Sequence, residues 1–102
     1  GEKSRYTGIY GKEIDQAQCR HLGIGQGLYV ERTENASPAM KAGIQSGDII
    51  SKIDGNLTES MQSYYTYLQT KKAGEKITVT ALRKNSGGDY VEKDYTVTIE
   101  ER

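Results

Sequence analysis

The sequence predicts an α+β fold: a small, partly open antiparallel β-barrel or sandwich of five to six strands, with one longer helix and one or two short ones. Three observations lead there. Short segments alternate apolar and polar residues, as half-buried strands do. A single stretch, 59–71, holds a helical period over several turns. Clusters of Gly, Asn and Asp separate the segments at short intervals.

The elements follow in order along the chain. Ile9 to Ile14 reads as extended. Asp15 is placed to cap a short helix, Gln16 to Leu22, because its carboxylate can accept the unpaired amides of a first turn. Gly23, Gly25 and Gly27 break that pattern, and Leu28 to Thr33 reads as a strand. Its alternation puts Leu28, Val30 and Arg32 on one face and Tyr29, Glu31 and Thr33 on the other. Ser37 as N-cap, Pro38 at the first helical position and Gly43 just past the end bracket a helix of barely more than one turn. Ile49 to Ile53 is a strand that ends at the tight-turn dipeptide Asp54-Gly55. From Glu59 to about Lys71, residues Met61, Tyr64, Tyr65 and Leu68 form one helical stripe. Lys76 to Arg83 alternates as a half-buried strand, Asn85 to Asp89 is a turn, and Tyr95, Val97 and Ile99 mark the last strand.

Composition narrows the function. A chain of 102 residues suits one domain with a modest core. Hydrophobic residues make up 34% of it, with eight Tyr and neither Phe nor Trp, so tyrosine rings must fill part of the interior. Fourteen Lys and Arg balance fourteen Asp and Glu, whereas a nucleic-acid module would show a basic surplus. No apolar run approaches the ~20 residues of a membrane span. One Cys excludes an internal disulfide and a cysteine-built metal site. One His leaves a His-dependent catalytic apparatus hard to assemble within the chain. The expected class is a binding module without catalytic residues, metal or cofactor, and without nucleic-acid or membrane contact of its own.

The segment Ser37-Pro38-Ala39-Met40-Lys41-Ala42-Gly43-Ile44-Gln45-Ser46-Gly47-Asp48-Ile49-Ile50 resembles the central signature of PDZ domains, S-P-A-x-x-A-G-L-x-x-G-D-x-I. The likeness continues through Ser51-Lys52-Ile53-Asp54-Gly55 and, with the order of elements around it, covers 6–99. A loop at the very start, a short helix, a strand, the signature, the long helix and last strands resemble the permuted bacterial arrangement of HtrA-like, trypsin-like serine proteases. On that resemblance, residues 1–5 are an arm from an upstream domain, 6–99 the PDZ domain and 100–102 a tail. The N-terminus, Gly1-Glu2-Lys3-Ser4-Arg5, lacks an apolar signal core and reads as a cut point in a longer protein.

The resemblance also implies a function: capture of a hydrophobic free C-terminus of a substrate or regulator by strand addition. It places Tyr6, Thr7, Gly8 and Ile9 in the loop that holds the peptide carboxylate. It places Tyr10, Gly11, Met61, Tyr65 and Leu68 along the peptide groove, with Leu68 and Ile9 lining the terminal pocket and Tyr64 turned to the core. Thr7 departs from the aliphatic residue usual there, which implies a pocket more polar or differently shaped, and Tyr65 is large enough to narrow the groove or to cap a shorter ligand residue. Lys3 or Arg5 could add long-range attraction to the carboxylate. The upstream protease domain and a bacterial cell-envelope location are implied by the resemblance alone. A PDZ domain of another envelope protease, and a structural module whose groove is occluded, for instance by Glu100-Glu101-Arg102, are the competing readings.

Other motifs have plainer explanations. Asn85-Ser86-Gly87-Gly88-Asp89 looks like the nucleophile segment of trypsin-like proteases, but it lies between two strands with no His/Asp pair to activate Ser86. Gly23-Ile24-Gly25-Gln26-Gly27 leads from helix to strand, the wrong way round for a phosphate loop. Cys19 and His21 lack further soft ligands, so a buried thiol is expected rather than a metal site or nucleophile. A minimal hydrolase built on Ser86 or Cys19 is the remote alternative.

Overall fold

Side-chain caps decide where the helices begin. In the computed structural model, which describes residues 4–102, the Asp15 carboxylate accepts from the Gln18 amide at 2.7 Å, opening α1 (Gln16–Leu22). The Ser37 hydroxyl accepts from Met40 N at 3.2 Å and Pro38 occupies the first turn, opening α2 (Pro38–Ala42). Gly43 closes α2 at φ 98°, in the left-handed region open to glycine. The long helix α3 (Met61–Gln69) is shorter at both ends than its period suggests. Ser60 caps it, accepting from Ser63 N at 3.0 Å, so Glu59 stays outside. Thr70 ends it in place of Lys71.

Among the described residues, eight strands surround these helices: β1 (Arg5–Tyr6), β2 (Ile9–Glu13), β3 (Leu28–Thr33), β4 (Ile49–Ile53), β5 (Asn56–Leu57), β6 (Lys76–Lys84), β7 (Tyr90–Thr98) and β8 (Glu100–Glu101). An antiparallel sheet runs in the order β2-β3-β4-β6-β7, with β5 hairpinned onto β4 through Asp54 and Gly55, both at positive φ. The hairpin of β6 and β7 turns at 85–89, where Asn85 Oδ1 accepts from Gly87 N and Asp89 N. Strand β7 starts at Tyr90, well before the apolar alternation that marks it in sequence. β1 and β8 form a separate pair, with Arg5 opposite Glu101 and Tyr6 opposite Glu100. Residues read from sequence as arm and tail therefore pair with each other.

One expectation about faces is corrected. Leu28 and Val30 are buried, but Arg32 is exposed. The pairing of β2 with β3 shifts between Tyr10↔Arg32 and Gly11↔Val30, leaving Glu31 as an extra residue on β3. Such a bulge reverses the alternation beyond it, so Arg32 turns to the outer face.

The core gathers Leu28 and Val30 from β3, Ile50 and Ile53 from β4, Ile77 and Val79 from β6, and Val97 from β7 beneath Tyr64 and Leu68 of α3. The signature residue Asp48 is buried and braces this layer. Its carboxylate accepts from Arg83 Nε at 2.8 Å and Nη2 at 2.7 Å, and from Gln45 N at 2.9 Å. Arg83 also donates to the Gly43 carbonyl at 2.7 Å, joining β6 to the end of α2.

Helix α3 is held through two tyrosine hydroxyls. Tyr64, 2% exposed, shares a hydrogen bond with the buried Thr7 hydroxyl, and burial pushes its phenol above the usual range. Tyr67 donates to Asp54 Oδ2 at 2.5 Å, and Asp54 Oδ1 accepts from Thr78 N at 2.7 Å. Thr7→Val strands the Tyr64 hydroxyl in the core and is expected to cost about 1–3 kcal/mol. Adding Tyr64→Phe removes the stranded group and should recover most of that loss. Denaturant unfolding of the two single variants and the double variant measures the coupling.

Candidate functional site

The start of the chain builds a loop whose polar groups are sorted by direction. Between β1 and β2, the Thr7 carbonyl accepts from Ala39 N and the Gly8 carbonyl accepts from Glu34 N, each at 2.9 Å. Both carbonyls are thus engaged by the segment around α2. The amides of Thr7 and Gly8 donate to no acceptor among the described residues. Gly8 sits at φ 85°, and a Cβ there would overlap the Ser37 side chain. Glycine is required twice over, by conformation and by space.

Glu34 ties this loop from outside. Its carboxylate accepts from the Tyr6 hydroxyl, from the Tyr10 hydroxyl at 2.7 Å and from Arg102 Nη1 at 2.5 Å. These partners, Tyr6 first, hold its acid at about 2. The same bond raises the Tyr6 phenol. Arg102 stacks over the Tyr6 ring at 4.7 Å, so residues on both sides of Thr7-Gly8-Ile9 meet at one carboxylate.

Beyond the loop, β2 is an edge strand: β3 pairs along one side and α3 lies against it. Gly11 faces Met61, whose Sδ lies 3.2 Å from where a Gly11 Cβ would stand. Met61 is half-buried against the core. Tyr65, one turn on, is 46% exposed, with its ring centre 5.8 Å from that of Tyr64. Ile9 and Leu68 are in the core, Leu68 with no exposed surface. Tyr10 stands at the outer surface, 36% exposed.

The fold thus sets Thr7 and Gly8 in the loop between β1 and β2, with Tyr6 ending β1 and Ile9 opening β2 on either side, and sets Gly11 across from Met61, with Tyr65 further along the same helix. Thr7 has a local role that the sequence does not reveal, since its hydroxyl is engaged by Tyr64. Arg5 is engaged by groups outside the loop: its Nε donates to the Lys71 carbonyl at 2.6 Å and its guanidinium pairs with Glu101 at 3.4 Å. Lys3, the other cation weighed for the carboxylate, lies outside the described residues. Residues Glu100 and Glu101 pair with β1 and not with β2, so the tail does not occupy the β2 edge. The cluster of Tyr6, Tyr10 and Arg102 on Glu34 has no local sequence signal, because its contacts span 24 to 68 residues.

The motifs set aside earlier have ordinary places. Ser86 is in the β6–β7 turn, Cys19 is a buried free thiol and His21 is exposed. Among the described residues no group of three or more His, Cys, Asp and Glu could hold a metal ion.

Known proteins share this fold. The chain is 42% identical over 62 residues to the serine protease Do-like HtrB of Bacillus subtilis, which covers 60% of this chain and 14% of that protein. It is 31% identical over 83 residues to the periplasmic pH-dependent serine endoprotease DegQ of Escherichia coli, covering 79% and 18%. The chain therefore spans less than a fifth of the length of these relatives. Among solved structures, the HtrA3 PDZ domain bound to a phage-derived ligand (FGRWV) superposes with a TM-score of 0.78 at 22% identity, covering 99% of this chain and 89% of that one. The HtrA-type protease AlgW with decapeptide gives 0.76 at 22%, covering 98% and 30%. The family model described as the PDZ domain matches residues 29–83, more than half of the sequence. With an open antiparallel sheet, three helices and this match, the chain belongs to the PDZ domain family.

Proposed function

We propose that the chain is the substrate-recognition or regulatory PDZ domain of an HtrA-like serine protease and binds hydrophobic free C-termini by strand addition. One observation carries this: the open edge of β2 faces α3 and begins at a loop whose Thr7 and Gly8 amides have no acceptor among the described residues. A peptide laid antiparallel on β2 would continue the sheet, with its carboxylate at the amides of Thr7, Gly8 and Ile9. Its last side chain would point between Ile9 and Leu68, and Met61 and Tyr65 would flank it from α3. Met61 is unbranched and flexible, suited to shifting off Gly11 as a ligand enters. Structures similar to this chain include the HtrA3 PDZ domain bound to a phage-derived ligand and the HtrA-type protease AlgW with decapeptide, which supports that use. The parent protein would supply the protease domain upstream, and the periplasmic setting of relatives such as DegQ points to an extracytoplasmic place in bacteria.

The competing reading, a module with an occluded groove, draws on Met61 packed at Gly11 and on the full burial of Leu68. Titration separates the two. Free-acid peptides ending in Val or Leu should bind, and their C-terminal amides should bind about tenfold more weakly or worse, since a hydrogen bond to a charged acceptor contributes about 1.5–3 kcal/mol. Equal binding of acid and amide would refute the carboxylate role of the loop. Binding of neither form would favour the occluded groove.

Glu34 gives the loop a defined pH range. A carboxyl held at about 2 when folded, below its unfolded value, stabilises the folded state fully above that unfolded value and loses the effect as pH falls towards 2. The stability difference between the wild type and Glu34→Gln should be constant above about pH 5 and vanish in strong acid. Denaturant unfolding across that range checks it; a difference that grows on acidification would contradict the assigned bonds.

A further inference from the structure

The outer face of the β2–β3 pair carries a charge pattern that the groove does not explain. Tyr10 and Arg32 stand opposite each other, and the Arg32 guanidinium lies 3.9 Å from the centre of the Tyr10 ring. Along the same pair, Lys12 stands opposite Tyr29, its ammonium 5.7 Å from that ring's centre. Both cations are exposed, and neither forms an ion pair among the described residues. Glu34, the carboxylate bonded to the Tyr10 hydroxyl, is offset by Arg102 at 2.5 Å. The bulge at Glu31 is what turns Arg32 outward, beside Tyr10.

A strand added to β2 alternates its side chains across the sheet. If its last residue turns inward, the penultimate residue and the one two before it stand on the outer face, with Tyr10, Lys12 and Arg32. A carboxylate there meets two cations laid over aromatic rings, and a lysine there meets like charge. We propose that this domain selects C-terminal peptides with an acidic side chain at the penultimate position, read by Arg32 over Tyr10, with Lys12 adding to the same field. The inference rests on strand addition at β2, as proposed above, and specifies which peptides that edge prefers.

The test uses three free-acid peptides that differ only in Glu, Gln or Lys at the penultimate position, titrated at low and at moderate salt. The expected order is Glu, then Gln, then Lys, with Glu over Lys by about threefold or more at low salt. The ratio should shrink as salt screens the pair. Arg32→Glu should reverse the order. Should that variant lose its circular dichroism signature, Lys12→Glu should still compress the ratio. Equal binding of the three peptides overturns the proposal and leaves strand addition standing. An order unchanged in both charge-reversal variants also overturns it. Failure of every free-acid peptide to bind overturns both readings together.

Discussion

The bond between the hydroxyls of Tyr64 and Thr7 is the constraint on which the candidate site depends. Among the described residues Tyr64 is the largest fully buried side chain, and in a chain without Phe or Trp it acts as a core aromatic. Its hydroxyl must find a partner inside the core, because an unpaired buried polar group is costly. Thr7 is that partner, and it sits one residue before the glycine that turns the loop. The same contact fixes how α3 lies over β2 and where the loop amides stand. The spacing of α3 from β2 and the position of the loop amides therefore share one determinant.

Around that contact, distant pieces of chain meet. Glu34 gathers hydroxyls from both sides of the loop and a guanidinium from the last residue. Asp48 gathers the turn at Gln45, strand β6 and, through Arg83, the end of α2. Asp54 joins the β4–β5 turn to α3 and β6. A carboxylate can accept several bonds at once, so three acids do much of the stitching that a larger apolar core would otherwise supply. The low hydrophobic share of the sequence and this use of acids are two views of one economy.

What could be read from the sequence was local. Asp15 and Ser37 announced their helices because an N-cap needs only a neighbour three residues away. The Asp54-Gly55 turn and the alternation in β6 were equally visible. Three kinds of feature were not. Ser60 is not legible as a cap because the helical period, taken from Glu59, runs through it without a break. The bulge at Glu31 is not legible in sequence, because alternation by itself carries no trace of an inserted residue. The β1–β8 pair and the Glu34 cluster were invisible because their partners lie far apart in sequence and carry no periodic signal. The loop and groove positions themselves came from family resemblance, and the local pattern added only the identity of Gly8 as a backbone residue.

The bulge has one more consequence, for how such a domain can change over generations. On the Leu28 side of Glu31, a substitution at alternate positions alters the packed interior and is constrained by volume. On the Arg32 side, the same alternation reaches solvent, and substitution leaves the interior untouched. One inserted residue thus divides a single strand into a conserved-volume half and a half free to vary in charge. Surface charge and interior packing, written on one six-residue segment, become separately mutable.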